Sequence, residues 1–236
     1  MEMDRYEVED EPLRKEWHLR LGILGGTFDP IHLGHLRVAE EMGEEMELEK
    51  VYLIPGALPP HKDRKPVTPF HHRLAMTQMA VQDSPVLQTL DLEGRRQGFS
   101  YTIETLKEIH QLHTSSLELF FIIGMDAFLE IRTWKDYKKL FDYANFVVIQ
   151  RPGFPSKELE SFVLSLGVGF KKSSQNSNFV TPSGNTLIYR EATLMDISST
   201  NIRKMLATGK SIRFLVPESV RSYIMEKGLY RINGDS

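Results

Sequence analysis

The sequence predicts an α/β domain built on a doubly wound, mostly parallel sheet with a C-terminal helical part, and three observations predict it. Short apolar runs alternate with helical patterns along most of the chain, as repeated strand-helix-strand units require. One run, Leu117 to Ile123, is apolar without interruption and rich in Phe and Ile, the mark of a central strand covered on both faces. The residues suited to chemistry fall in loops after strands, beyond the carboxyl ends where such sheets bind ligands.

Taken in order, Met1 to His18 is acidic and has no apolar core followed by a small-residue cleavage site, so it reads as a flexible extension rather than a secretory signal. Trp17 is placed to pack at the domain edge, and residues 19–236 read as one domain. Leu19 to Leu24 is the first strand. Gly25-Gly26-Thr27-Phe28-Asp29-Pro30-Ile31-His32-Leu33-Gly34-His35-Leu36 is the turn from that strand into a helix, Leu36 to Met46 continues the helix, and Lys50 to Ile54 is the second strand. Pro55 to Lys62 is a loop, because its prolines fix φ and remove amide donors. Thr68 to Val81 reads as a helix with Thr68 as N-cap and Pro69 at the first helical position. Val86 to Leu92 alternates as a strand does, Glu93 to Ser100 is a polar loop, and Ser100 can cap a helix from Tyr101 to about His113.

After the central run come Gly124-Met125-Asp126, two short helical stretches around Trp134, a strand from Asn145 to Gln150 and a stop at Arg151-Pro152-Gly153. Phe154 to Leu166 is helical in pattern. Gly167 to Asn185, rich in Ser, Asn, Lys and Gly, reads as a long loop, and Thr186 to Glu191 as a strand. Ile197 to Thr200 leads into a helix from Asn201 to Ala207, and Pro217 starts a last helix through Glu226. No internal repeat is present.

Composition narrows the class of function. Apolar residues at 41%, charged residues at 26% and a formal net charge of -3 are ordinary for a soluble protein and give no general reason to expect nucleic-acid or membrane partners. No run is apolar for long enough to span a bilayer. The absence of cysteine excludes disulfides, thiolate metal sites and a thiol nucleophile and fits a reducing, cytoplasmic location. Any anion site must therefore be local.

The turn from Gly25 to Leu36 is such a site. Amides at a helix start, backed by the positive end of the helix dipole, attract phosphate. Glycines let the backbone approach, and histidines can donate hydrogen bonds, more strongly if protonated. Gly22, Gly25 and Gly26 do not have G-x-G-x-x-G spacing, no G-x-x-x-x-G-K-[ST] loop occurs, and Gly98 to Thr102 lacks the last glycine of a nucleophile elbow. Taken alone, each of these residues has a structural reading: turn glycines, a capping histidine, an edge tryptophan, a solvated Lys62. The His61, His71 and His72 group lacks metal-ligand spacing.

Two segments taken together are more specific. Gly26 to His35 with Ile197-Ser198-Ser199-Thr200-Asn201-Ile202-Arg203 resembles the paired signatures of the HxGH nucleotidyltransferase superfamily. Pro59-Pro60-His61-Lys62, Ser100 to Leu106, Gly124-Met125-Asp126, Trp134 and Leu215-Val216-Pro217 narrow the resemblance to the bacterial nicotinate mononucleotide adenylyltransferases, from about Leu21 to Tyr230. The acidic leader and the Lys171 to Gly184 loop lie outside it.

The resemblance implies a Rossmann-like nucleotidyltransferase fold and transfer of AMP from ATP to nicotinate mononucleotide, without a covalent enzyme intermediate. It implies catalysis by His32, His35, Lys62 and Arg203. ATP would bind Gly25, Gly26, Thr27, Phe28, His35, Ile197, Ser198, Ser199, Thr200 and Arg203. The acceptor would bind Tyr101, Thr102, Asp126, Trp134 and Arg151, with Trp134 stacked on the ring. No dense carboxylate cluster is visible, so Mg2+ is expected to travel mainly with ATP and water. ATP and nicotinate mononucleotide are the expected partners, and a homo-oligomer is compatible with the sequence. Two rivals remain: a related transferase using phosphopantetheine or nicotinamide mononucleotide, and a nucleotide sensor that has lost the chemistry.

Overall fold

The computed structural model describes residues 19–58, 67–113, 116–150, 156–173, 178–193 and 195–231. The expected N-terminal extension and two candidate site residues, Lys62 and Arg151, lie outside the described residues.

The sheet contains β1 (Leu19–Gly26), β2 (Lys50–Pro55), β3 (Leu87–Thr89), β4 (Leu117–Gly124), β5 (Asn145–Gln150), β6 (Lys171–Lys172), β7 (Phe179–Val180) and β8 (Thr186–Glu191). Their spatial order is β3-β2-β1-β4-β5-β8-β7-β6. All pairings are parallel except those of β6 with β7 and β7 with β8. Strand order reverses between β1 and β4, and their carboxyl ends flank the crevice that this topology opens for ligands.

The helices are α1 (Leu33–Glu45), α2 (Phe70–Val81), α3 (Thr102–Leu112), α4 (Met125–Leu129), α5 (Tyr137–Tyr143), α6 (Ser156–Leu164), α7 (Ser199–Ala207) and α8 (Glu218–Glu226). They cover both faces, and the alternation of side chains along β4 shows how. Leu119, Phe121 and Ile123 join a core with Ile103 and Leu106 of α3, Phe128 of α4 and Phe141 of α5. Phe120 and Ile122 point the other way, into a core with Met42 of α1, Met76 of α2, Ile202 of α7 and Ile224 of α8. The uninterrupted apolar run is thus the strand buried on both sides, as its composition predicts. Among the described residues no helix is long and apolar enough to cross a membrane.

Several boundaries differ from the sequence reading, each for a physical reason. Helix α2 starts at Phe70, not Thr68: Pro69 at the cap is extended (φ -47, ψ 141), and Thr68 is occupied elsewhere, its amide donating to Asp29 Oδ2 at 3.3 Å and its carbonyl accepting from Arg73 Nε at 2.8 Å. Ser100 does not cap α3, which follows Tyr101. Its hydroxyl accepts the Ala57 and Leu58 amides at 3.0 and 3.2 Å, tying together two loops at the sheet's edge. The expected strand from Val86 to Leu92 shortens to β3, because Leu92 begins a 3-10 turn through Arg95 and buries its side chain there. Within the expected loop from Gly167 to Asn185, β6 and β7 pair, with Phe170 and Phe179 anchored in the core. Helix α1 begins at Leu33, inside the His-x-Gly-His turn, and α7 begins at Ser199.

Candidate active site

The turn after β1 is held by its own histidines. His32 is the N-cap of α1, extended at φ -145 and ψ 169, and its amide donates to His35 Nδ1 at 3.3 Å. The two imidazoles stack with centroids 3.6 Å apart and planes 22° from parallel. Gly34 between them keeps this contact open, since a Cβ there would lie 3.2 Å from His32 Nδ1 and press on the ring. Phe28 has a left-handed backbone (φ 48), a conformation that non-glycine residues adopt mainly where function or tight packing demands it. Its ring is 2% exposed and meets His35 edge-on at 5.1 Å, so the side chain supports His35 from behind and only the Phe28 backbone is left for a ligand.

Burial sets the charge of the pair. It lowers the His32 pKa to about 4 and that of His35 to about 3, with His32 itself adding to the effect on His35. Both rings are therefore neutral at pH 7, and they donate as neutral imidazoles rather than as the stronger protonated form. Because His35 Nδ1 accepts the His32 amide, its proton sits on Nε2, the nitrogen left to donate.

The second signature meets the first directly. Ser198 caps α7, its Oγ accepting the Asn201 amide at 3.2 Å. Ser199 Oγ donates to the Pro30 carbonyl at 2.8 Å, and Arg203 Nη1 donates to the Asp29 carbonyl at 2.6 Å. Arg203 Nη2 also reaches Thr200 Oγ1 at 3.3 Å. Thr27, Asp29, His32, His35, Ile197, Ser198, Ser199, Thr200 and Arg203 line one polar cavity of about 350 Å³.

A second cleft, also about 350 Å³, shares Thr27 with the first and runs along Gly25, Gly26 and Gly124 to Tyr101, Thr102 and Trp134. Its walls are mainly apolar. Trp134 stands perpendicular to Phe121, centroids 6.1 Å apart, and its amide donates to the Ile131 carbonyl at 2.9 Å, so the indole is braced at the cleft edge. Asp126 lines neither of these spaces. It faces a third cavity, with Gly34, His35 and Gly124, which touches both.

The sequence reading missed three groups that hold this arrangement, the buried Arg73 and Asp29 and the partly buried Tyr230. Arg73, 1% exposed, donates to the carbonyls of Thr27 and Gly56 at 2.7 Å each and of Ala57 at 3.1 Å, besides that of Thr68. Asp29 accepts the Tyr230 hydroxyl at 2.7 Å and the Thr68 amide, and its charge offsets part of the desolvation that lowers the Arg73 pKa. Burial, then Asp29, raises the Tyr230 pKa. The only local signal was a cation in the otherwise uncharged Phe70 to Val81 segment.

Comparison with known proteins shows the family and the fold. The Cytidylyltransferase-like family matches residues 23–205. A Syntrophotalea carbinolica protein named "Probable nicotinate-nucleotide adenylyltransferase" is 43% identical over 214 residues, spanning 90% of this chain and 98% of that one. The Desulfatibacillum aliphaticivorans protein of the same name is 44% identical over 218 residues, spanning 90% and 100%. Among solved structures, Plasmodium falciparum nicotinic acid mononucleotide adenylyltransferase complexed with NaAD shares the fold, with a TM-score of 0.69 at 23% identity over 90% of this chain and 98% of that one.

Proposed function

The chain belongs to the Cytidylyltransferase-like family and, within it, to the nicotinate-nucleotide adenylyltransferases, and from that premise we propose how its cavities divide the work. The reaction transfers AMP from ATP to nicotinate mononucleotide, releasing pyrophosphate and forming nicotinate adenine dinucleotide for NAD biosynthesis. The acceptor phosphate is already a nucleophile at neutral pH. The protein has to align it with the ATP α-phosphate and offset the repulsion between two anions.

The polar cavity takes the triphosphate. His35 Nε2–H, the His32 ring and the Gly25 to Thr27 amides serve one side. Ser199, Thr200 and Arg203 serve the other, and Lys62 is assigned to the same phosphates. The apolar cleft takes the pyridine, stacked on Trp134 with its carboxylate toward Tyr101 and Thr102. Asp126 and Arg151 are assigned to the rest of the acceptor. The observation that carries this division is that Thr27 lines both spaces, so a phosphate held there faces both substrates.

Mg2+ fits this arrangement as a companion of ATP. Asp29, the carboxylate lining the polar cavity, is engaged by Tyr230 and Thr68, and among the described residues no group of three or more metal-ligating side chains converges. Triphosphate oxygens and water would hold the ion, which would neutralise charge on the phosphates. Action in the cytoplasm, as a single domain without a nucleic-acid or membrane partner, belongs to the same reading.

Incubating the purified protein with ATP, Mg2+ and nicotinate mononucleotide tests the proposal: dinucleotide and pyrophosphate are expected in equal amounts, and their absence overturns it. Phosphopantetheine and nicotinamide mononucleotide as acceptors should give less product, and a preference for the amide would refute the choice of acid.

A further inference from the structure

The polarity of the acceptor cleft is unusual for a space that receives an anion. Among its described lining residues Glu93 and Glu130 are acidic, and Lys135 is the only basic one. Lys135 Nζ lies 4.5 Å from the Tyr101 ring centroid and 3.3 Å from Glu104 Oε1, on the first turn of α3. Glu93 is occupied with the Thr105 hydroxyl at 2.9 Å. The ammonium thus stands over the ring that precedes α3, next to the end of the cleft where Tyr101 and Thr102 would meet a pyridine carboxylate.

We propose that Lys135 is a specificity-determining residue of the acceptor cleft, its ammonium favouring a pyridine carboxylate over the uncharged carboxamide. The inference rests on the acceptor reading above. A carboxylate entering near Tyr101 shares the cleft with Glu93 and Glu130, with Glu104 behind Lys135, and like charges repel. Lys135 compensates Glu104 and adds attraction for an acid, whereas a carboxamide gains nothing from it. Its side chain is 45% exposed, so water screens the effect to a moderate size. The flexible four-carbon stem lets Nζ shift from Glu104 to a ligand without moving the backbone.

The test compares kcat/KM for nicotinate and nicotinamide mononucleotides in wild type, Lys135→Met, Lys135→Arg and Glu104→Gln, by pyrophosphate release. Lys135→Met should lower the acid-to-amide ratio by roughly five- to tenfold, through KM for the acid, with KM for ATP unchanged. Lys135→Arg should keep the ratio within about twofold, since the charge remains. Glu104→Gln should keep or raise it, because Lys135 then loses its competitor. An unchanged ratio in Lys135→Met overturns the proposal. So does a Glu104→Gln ratio that falls as far as that of Lys135→Met, which would make the lysine only an anchor for Glu104. A wild type that forms no dinucleotide from the acid overturns the acceptor reading itself and this inference with it.

Discussion

The polar cavity and the apolar cleft are neighbours built by opposite means. The polar cavity comes from two short contiguous segments, residues 27–35 and 197–203, joined by side chain to backbone bonds from Ser199 to Pro30 and from Arg203 to Asp29. The cleft is assembled from β1, β4, α3 and the segment around Trp134, which are far apart in the sequence. Phosphate oxygens need donors at fixed angles, so the backbone itself must be shaped and the local sequence is constrained. A pyridine ring needs contact area, which any nearby aromatic can supply.

Arg73 is where that contrast should fail, because it holds carbonyls of Thr27, which lines both spaces, and Gly56, which lines the cleft. Arg73→Met leaves buried carbonyls unpaired and should cost ~3 kcal/mol or more of stability, read by urea unfolding, with KM raised for both substrates. A rise for one substrate alone would show that the two regions are braced separately.

His35→Ala should sharpen the contrast. Loss of a donor to developing charge costs about 3 kcal/mol, roughly a hundredfold in kcat, while thermal stability falls far less and KM for the acceptor holds. Wild-type turnover in a folded His35→Ala protein would remove that residue from the mechanism. Trp134→Ala belongs to the other side: with stacking at about 1–3 kcal/mol, KM for the acceptor should rise roughly tenfold and KM for ATP should not move.

The last test concerns acid. Burial lowers the pKa of His32 to about 4 and that of His35 to about 3 from the ordinary imidazole value of 6.5, so the unfolded chain binds more protons throughout that interval. Stability should therefore fall as pH drops from about 6.5, by up to ~1.4 kcal/mol per pH unit for each ring. Two histidine C2–H resonances that stay constant from about pH 8 to 5 would show the neutral pair directly, and ordinary titration near 6.5 would refute it.

How much of this was legible in the sequence follows from the same division. The alternation of strands and helices and the burial of Leu117 to Ile123 were readable, since both depend on local periodicity. The polar cavity was readable because its donors come from two contiguous motifs. Ser100 and Thr68 were misassigned as caps because their partners, Ala57, Leu58, Asp29 and Arg73, come from other parts of the chain. The same distance hid Arg73, 46 residues from Thr27, and Tyr230, 201 from Asp29. Asp126 was assigned to the acceptor by resemblance, and it lines a third cavity together with Gly34 and His35. The neutrality of the histidines depends on burial, which no motif records.

The bond from Tyr230 to Asp29 also bears on the order of synthesis. The ribosome makes the His-x-Gly-His turn among the first residues of the sheet, yet several of the contacts that brace it come from Ser199, Arg203, Leu215 and Tyr230. A nascent chain therefore carries the catalytic histidines long before it can hold them in place, and the oldest part of the site is the last to be finished.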